Sequence, residues 1–214
     1  TLNGALLECK DGLLRLIATD GHRIALVTNA IPGDFTCLIP RDTVDWIYTN
    51  LGETIEFGSS AENNAKYLTI KTDAKTIICR ELNGQFPNYN AIRRDKYRHT
   101  VTIVDPQKVR SLLARVAKCA DERSGCVRFR FDGDNLTLSA ESTESGKSSA
   151  VIPCVIEPAL KSAFLIGMNN SYILDFLKRI GDSEFKIGLH DPQSALSLNL
   201  GVESYDYIVM PMRL

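Results

Sequence analysis

No window of the sequence holds eighteen unbroken apolar residues, and its first residues show no basic and then apolar signal pattern, which argues against a helical membrane protein. The expectation is a soluble, cytoplasmic chain with no membrane partner. Excess charge of one sign is also missing: 25 Lys and Arg against 26 Asp and Glu leave a net charge of −1. The whole-molecule field therefore announces no nucleic-acid binder, although a local distribution still can. Six cysteines, at 9, 37, 79, 119, 126 and 154, form no CxxC pair and sit mostly in apolar runs. That pattern fits reduced core thiols better than a disulfide framework or a zinc site. His22, His99 and His190 lie far apart with no HxxxH spacing, so metal chemistry has no anchor and no cofactor is expected. A GxSxG elbow, HExxH, a P-loop and a GxGxxG after a strand are all missing. What remains, 44% hydrophobic and 24% charged over 214 residues, is the balance of a globular protein of one large or two ordinary domains. The chain opens at Thr1 without an initiating Met, and Leu2-Asn3-Gly4 reads as mid-strand, so the sequence reads as a fragment.

An internal repeat organises the rest. Residues 38 to 52, LIPRDTVDWIYTNLG, lie over 165 to 181, LIGMNNSYILDFLKRIG, once small gaps are allowed. Each is a strand end, a polar cap and an amphipathic helix stopping at Gly52 or Gly181. Asp42 is the expected first cap, with Val44, Ile47 and Leu51 inward; Asn169 or Asn170 caps the second, with Ile173, Phe176, Leu177 and Ile180 inward. Strands are expected after each helix: Thr54 to Phe57, Tyr67 to Ile70 and Thr76 to Leu82, then Glu184 to Leu189, Ala195 to Leu200 and Tyr207 to Met212. A third copy has strand Val101 to Ile103, cap Asp105 with Pro106 in the first helical position, and a stripe of Val109, Leu112, Leu113 and Val116. Its strands are Cys126 to Phe131, Asn135 to Glu141 and Ser148 to Ile156, the first two joined at Asp132-Gly133-Asp134. A partial fourth copy, Gly4 to Cys9, Leu13 to Thr19 and Arg23 to Thr28, opens the chain with a turn at Asp11-Gly12. The expected architecture is α+β, built from β-α-β-β-β units with helices on one face and antiparallel sheets outside. Residues 1–97 form a domain lacking its first strand and helix, 98–214 a complete one, and the basic stretch 92–98 the linker.

Three features carry chemistry: basic helix faces, a turn and the chain's last residues. The helix from Pro106 to Cys119 shows Lys108, Arg110, Arg115 and Lys118, and the one ending at Gly181 shows Lys178-Arg179. Such charges are an ordinary solvated face on one helix, but on successive repeated helices they also suit a phosphate backbone. The helix after Pro40 dissents, with Arg41 beside Asp42 and Asp45. In Ala18-Thr19-Asp20-Gly21-His22-Arg23, His22 as base with Asp20 as orienter gives a hydrolase reading. Asp20-Gly21 between two alternating strands is, however, the strongest short hairpin signal and accounts for both residues without catalysis. The last eight residues, Tyr207 to Leu214, run an apolar strand into Met210-Pro211-Met212-Arg213-Leu214. These methionines read either as edge-strand core or as the repackable wall of a binding surface.

Leu2-Asn3-Gly4, Ala18 to Arg23, Pro40-Arg41, Leu82 to Tyr89, Asn169 to Asp175 and Tyr207 to Leu214, in that order, resemble the bacterial β sliding clamp family over the whole length. The resemblance implies a non-catalytic processivity factor of DNA replication, the beta subunit of DNA polymerase III. Its subunits form head-to-tail homodimers of three similar domains each, with helices lining a hole around double-stranded DNA. This chain would be the end of the middle domain and the whole C-terminal domain. The resemblance places a peptide-binding pocket between those domains. Leu2, Thr19, Gly21, His22, Arg23, Ile24, Pro87 and Ile92 would form its deeper part with Ile208, Val209, Met210, Pro211, Met212, Arg213 and Leu214. Asn169 and Tyr172 would line its shallower part. Partners would be the polymerase III alpha subunit, the clamp loader, and other polymerases and repair proteins carrying short clamp-binding peptides. DNA-facing cations would be Arg41, Lys108, Arg110, Arg115, Lys178 and Arg179. The sequence departs from the family's best-known member at Ala91, an Arg lining the pocket there, and at Lys118 and Cys119, apolar dimer-interface residues there; it departs also at Gln193, usually apolar. A clamp-fold structural or interaction protein that is not loaded on DNA is the other non-enzymatic reading.

Overall fold

The computed structural model describes residues 3–50, 56–62, 65–94, 96–200 and 205–214. Its contacts divide the chain into two compact units, Thr1–Tyr89 and Asn90–Leu214. In the first unit, β1 (Gly4–Lys10), β2 (Leu13–Thr19), β3 (Arg23–Ala30) and β4 (Phe35–Pro40) form an antiparallel run ordered β4-β1-β2-β3. Alternation along β1 buries Ala5, Leu7 and Cys9 and turns the intervening residues outward. Helix α1 (Arg41–Thr49) follows β4, then β5 (Glu56–Glu62), β6 (Ala65–Lys71) and β7 (Thr76–Arg80) form a three-stranded sheet. Ala5, Leu7, Cys37, Ile39, Leu68, Ile70 and Cys79 make the core of this unit, with Val44, Trp46 and Ile47 of α1 packed on it.

The second unit runs β8 (His99–Ile103), α2 (Pro106–Val116), a 3-10 turn (Ala117–Cys119), β9 (Cys126–Asp132), β10 (Asn135–Ser142), β11 (Gly146–Pro153), β12 (Val155–Glu157), β13 (Phe164–Asn169), α3 (Asn170–Ile180), β14 (Phe185–Leu189), β15 (Leu196–Asn199) and β16 (Tyr205–Val209). One sheet is ordered β11-β10-β9-β13, and the other contains the run β12-β8-β14-β15-β16. The β-α-β-β-β repeat is therefore present, but interlocked: β8 leads the first copy yet pairs with β14 of the second, and β13 leads the second copy yet pairs with β9 of the first. Helix α2 packs on β10 and β11, and against α3. Phe176 of α3 meets Phe185 at 5.3 Å and Tyr207 at 5.5 Å between ring centres. The connecting stretch before β8 is fastened to this unit: Arg93 pairs with Asp206 at 3.4 Å, Arg94 donates to the Ser194 hydroxyl at 3.1 Å, and the Arg98 amide donates to the Leu189 carbonyl at 2.9 Å. The Tyr97 ring lies over Gly188 so closely that a Cβ there would come within 2.5 Å of it.

Several elements differ from the sequence expectation. Pro40, not Asp42, is the N-cap of α1 and offers no side-chain bond, because β4 feeds into the helix without a polar turn between them. The helix closes at Asn50, whose buried side chain donates to the Trp46 carbonyl at 2.7 Å; Leu51, Gly52 and Thr54 lie outside the described residues. Strand β5 continues to Glu62 rather than ending at Phe57, since pairing with β6 holds an exposed, polar stretch that carries no alternation. Strand β7 stops at Arg80, and the Leu82 amide crosses to the Leu38 carbonyl at 2.8 Å. The expected strand Ser148 to Ile156 breaks at Cys154. Pro153 has no N–H to donate, the Cys154 amide donates to Asp134, and the chain changes sheet to pair with β8. Helix α2 tightens into its 3-10 turn after Val116, and Leu112 is half-buried beside the buried Val109, Leu113 and Val116. The last strand spans Tyr205–Val209 rather than Tyr207 to Met212, for the reason given below.

Candidate functional site

In the first unit the stretch assigned to the pocket is the β2–β3 turn. Asp20 organises it: one carboxylate oxygen accepts from the His22 and Arg23 amides, both at 3.0 Å, and the other takes the Arg23 guanidinium at 2.9 Å. The Thr19 hydroxyl donates to the Arg23 carbonyl at 2.8 Å and accepts from the Gly21 amide at 3.1 Å. Gly21 itself has φ of 89°. Burial raises the Asp20 pKa, but the hydrogen bonds from His22 and Arg23 and the Arg23 charge outweigh it and hold the carboxyl below its ordinary value. The turn presents His22 and Gly21 to solvent, half-buries Thr19 and Arg23, and buries Ile24. Pro87 is exposed, and Leu2 lies outside the described residues.

In the second unit the assigned residues gather around β13 and the chain end. Ile208 and Val209 are buried strand residues paired with β15. At Met210 the chain leaves the sheet, because Pro211 has no donor with which to continue a ladder. It meets β13 instead: Met212 forms an isolated antiparallel bridge to Gly167, its amide donating to the Gly167 carbonyl at 2.8 Å. Met210 and Leu214 are 38% and 58% exposed, so an apolar, methionine-bearing segment is displayed from a fixed point. Asn169, beyond Gly167, accepts from the Ser171 amide at 2.9 Å as the α3 cap and donates to the Ser124 carbonyl at 3.1 Å. Both ends of its carboxamide are thus engaged in holding the start of α3. Tyr172 is half-buried, its carbonyl accepting from the Tyr207 hydroxyl at 3.1 Å; Ile92 is half-buried and Arg213 exposed. Gly167 was not singled out from the sequence, although a glycine inside a strand is itself a sign of close backbone approach.

All the cations assigned to DNA are exposed. Lys108 and Arg115, two turns apart, share one flank of α2, and Arg110 lies on the other flank of its exposed face. Lys178 and Arg179 occupy the last turn of α3, where positive charge also suits the helix dipole. Arg41 pairs with Asp45 at 3.7 Å, which offsets its charge locally. Lys108 also borders a shallow cleft of about 250 Å³ lined by Val104, Asp105, Pro153 and Val155.

Burial, with Glu81 nearby, pushes the Cys37 thiol up to about 12, and burial pushes Cys154 to about 11. Among the described residues no three His, Cys, Asp or Glu side chains group to hold a metal, and no helix is long and apolar enough to cross a membrane.

Interlocked β-α-β-β-β repeats with helices packed together over antiparallel sheets define the DNA-clamp class of α+β fold. The family model for the central domain of the DNA polymerase III beta subunit matches residues 1–88, and that for its C-terminal domain matches residues 96–213. The chain belongs to the DNA polymerase III beta subunit family. It is 27% identical to the beta sliding clamp of Haemophilus influenzae and 29% identical to that of Vibrio cholerae, in each case over 100% of this chain and 58% of the relative. The crystal structure of the Pseudomonas aeruginosa DNA polymerase III subunit beta, 28% identical, superposes with a TM-score of 0.86, covering 100% of this chain and 59% of that one. Another structure from that organism, with the clamp bound to griselimycin, is 27% identical with a TM-score of 0.86, covering 99% of this chain and 57% of that one. The chain thus spans less than two thirds of the length of these relatives.

Proposed function

We propose that this chain works as a sliding clamp of bacterial DNA replication, a cytoplasmic, non-catalytic processivity factor. The observation that carries the reading is the displayed tail. Ile208 and Val209 anchor it in the sheet, Met212 pins it to β13, and Met210 and Leu214 offer apolar surface to a partner. A short peptide with Leu and Phe anchors suits such a surface, since methionine repacks around different apolar side chains. Thr19, Gly21, His22, Arg23, Ile24 and Pro87 of unit 1 are proposed to contact the same peptide, and Ile92, Asn169 and Tyr172 to contribute from unit 2. A solved relative bound to griselimycin supports ligand binding by clamps of this family. The units Thr1–Tyr89 and Asn90–Leu214, in place of the expected division at 97/98, would form part of a ring closed by head-to-tail dimerisation. Lys108, Arg110, Arg115, Lys178 and Arg179, with Arg41 weaker, would touch phosphates loosely enough to slide without reading sequence. Tethering the polymerase III alpha subunit through its peptide makes each rebinding to the primer end intramolecular. The clamp loader and repair proteins would compete for the site.

The hydrolase reading is weaker, because both Asp20 oxygens hold the turn that carries them. His22→Ala separates the two. Under the clamp reading it weakens a fluorescent Gln-x-x-Leu-Phe peptide by about 1 kcal/mol, roughly fivefold, as for a rim contact. A hydrolytic turnover that His22→Ala abolishes would overturn it.

A further inference from the structure

We propose that Gly167 is a positioning residue of the peptide site: its missing side chain is what admits the C-terminal segment to its docked place. The inference rests on the tail being part of that site. Gly167 lies inside β13 between Ile166 and Met168, 1% and 0% exposed, and pairs with Arg128 of β9 on one side. On the other side, its carbonyl receives the Met212 amide. Gly167 is not among the glycines of positive φ, so its backbone conformation alone would accept alanine. The space would not. A Cβ would stand 2.8 Å from Cδ2 of Leu214, 2.9 Å from the Met212 carbonyl oxygen and 3.1 Å from Sγ of Cys126. The Leu214 side chain can swing away, but the Met212 carbonyl is backbone and can retreat only by lengthening the bridge that fixes the tail. Cys126 bears on the same point from β9, so β13 is confined on that side too. Downstream of Val209, Met212 makes the one strand-type bridge among the described residues. A single added methyl group therefore acts on the bridge that decides where Met210, Met212 and Leu214 are presented.

The test uses this chain and its Gly167→Ala variant, with two readouts: hydrogen exchange at the Met212 amide and titration of a fluorescent Gln-x-x-Leu-Phe peptide. The variant is expected to exchange Met212 at least tenfold faster and to bind the peptide at least tenfold more weakly, with the amides of β8 and β14 still protected. Unchanged Met212 protection, or fast exchange with unchanged affinity, would overturn the proposal. If the unsubstituted chain binds no peptide, the reading of the tail as a binding surface fails, whereas a failure confined to Gly167→Ala leaves that reading intact. Should the variant not fold, Gly167→Ala is made in a chain lacking Met210 to Leu214. Recovery of folding there assigns the conflict to the docked tail and supports the proposal, and no recovery overturns it.

Discussion

Both oxygens of the Asp20 carboxylate are engaged within its own turn, and this weighs against the catalytic one of the two chemistries that Thr19-Asp20-Gly21-His22-Arg23 suggests. An orienting carboxylate in a catalytic pair holds the imidazole of its base, whereas here the acceptors serve two main-chain amides and a guanidinium. The expected role is to fix the shape of the turn that displays His22. Asp20→Ala should therefore destabilise the first unit by about 1 kcal/mol, the ordinary worth of such bonds in an exposed turn, as read by urea denaturation. Because the folded-state pKa of Asp20 lies below its unfolded value, its contribution is present above the unfolded pKa. It is lost as pH falls through the folded value. The stability difference between the chain and Asp20→Ala should accordingly be full at pH 7 and shrink towards zero on acidification below about pH 4. A difference that grew with acid would contradict this assignment.

At the scale of elements, α1 starts differently from α2 and α3, and the difference is measurable. The Asp105 side chain accepts the Lys108 amide at 2.9 Å as a true cap of α2, and Asn169 does the same for α3, whereas α1 begins at Pro40 with no side-chain cap. Asp105→Ala should cost about 1 kcal/mol in urea denaturation, while Asp42→Ala, losing only a favourable charge near the helix N-terminus, should cost a few tenths. Equal costs would contradict the distinction. Asp105-Pro106 and the Asn pair were legible because cap chemistry and helical spacing sit side by side in the sequence. The start of α1 was not, since Asp42 looks like a cap whether or not the backbone has already turned helical at Arg41. Strand ends failed for a related reason. Alternation reports which side chains are buried, so it fades along the exposed β5, and it cannot register that β11 and β12 belong to different sheets.

For the whole molecule, the repeat was legible and its interlocking was not. Apolar spacing gave three copies and a partial fourth in the right order, but spacing carries no information about partners, so the exchange of β8 and β13 between copies appears only in the pairing registers. The tail was half legible. Its composition marked a docked, methionine-bearing end, while the departure at Met210 and the bridge from Met212 to Gly167 depend on contacts with residues 45 positions earlier. Family membership gives the fold a precedent, and the displayed tail gives the proposed clamp function its most exposed claim. That claim is tested most directly by titrating a fluorescent Gln-x-x-Leu-Phe peptide into this chain and into a variant lacking Met210 to Leu214. Saturable binding by the chain, reduced at least tenfold by the deletion, is the predicted result. Equal binding by both, or binding by neither, would contradict it.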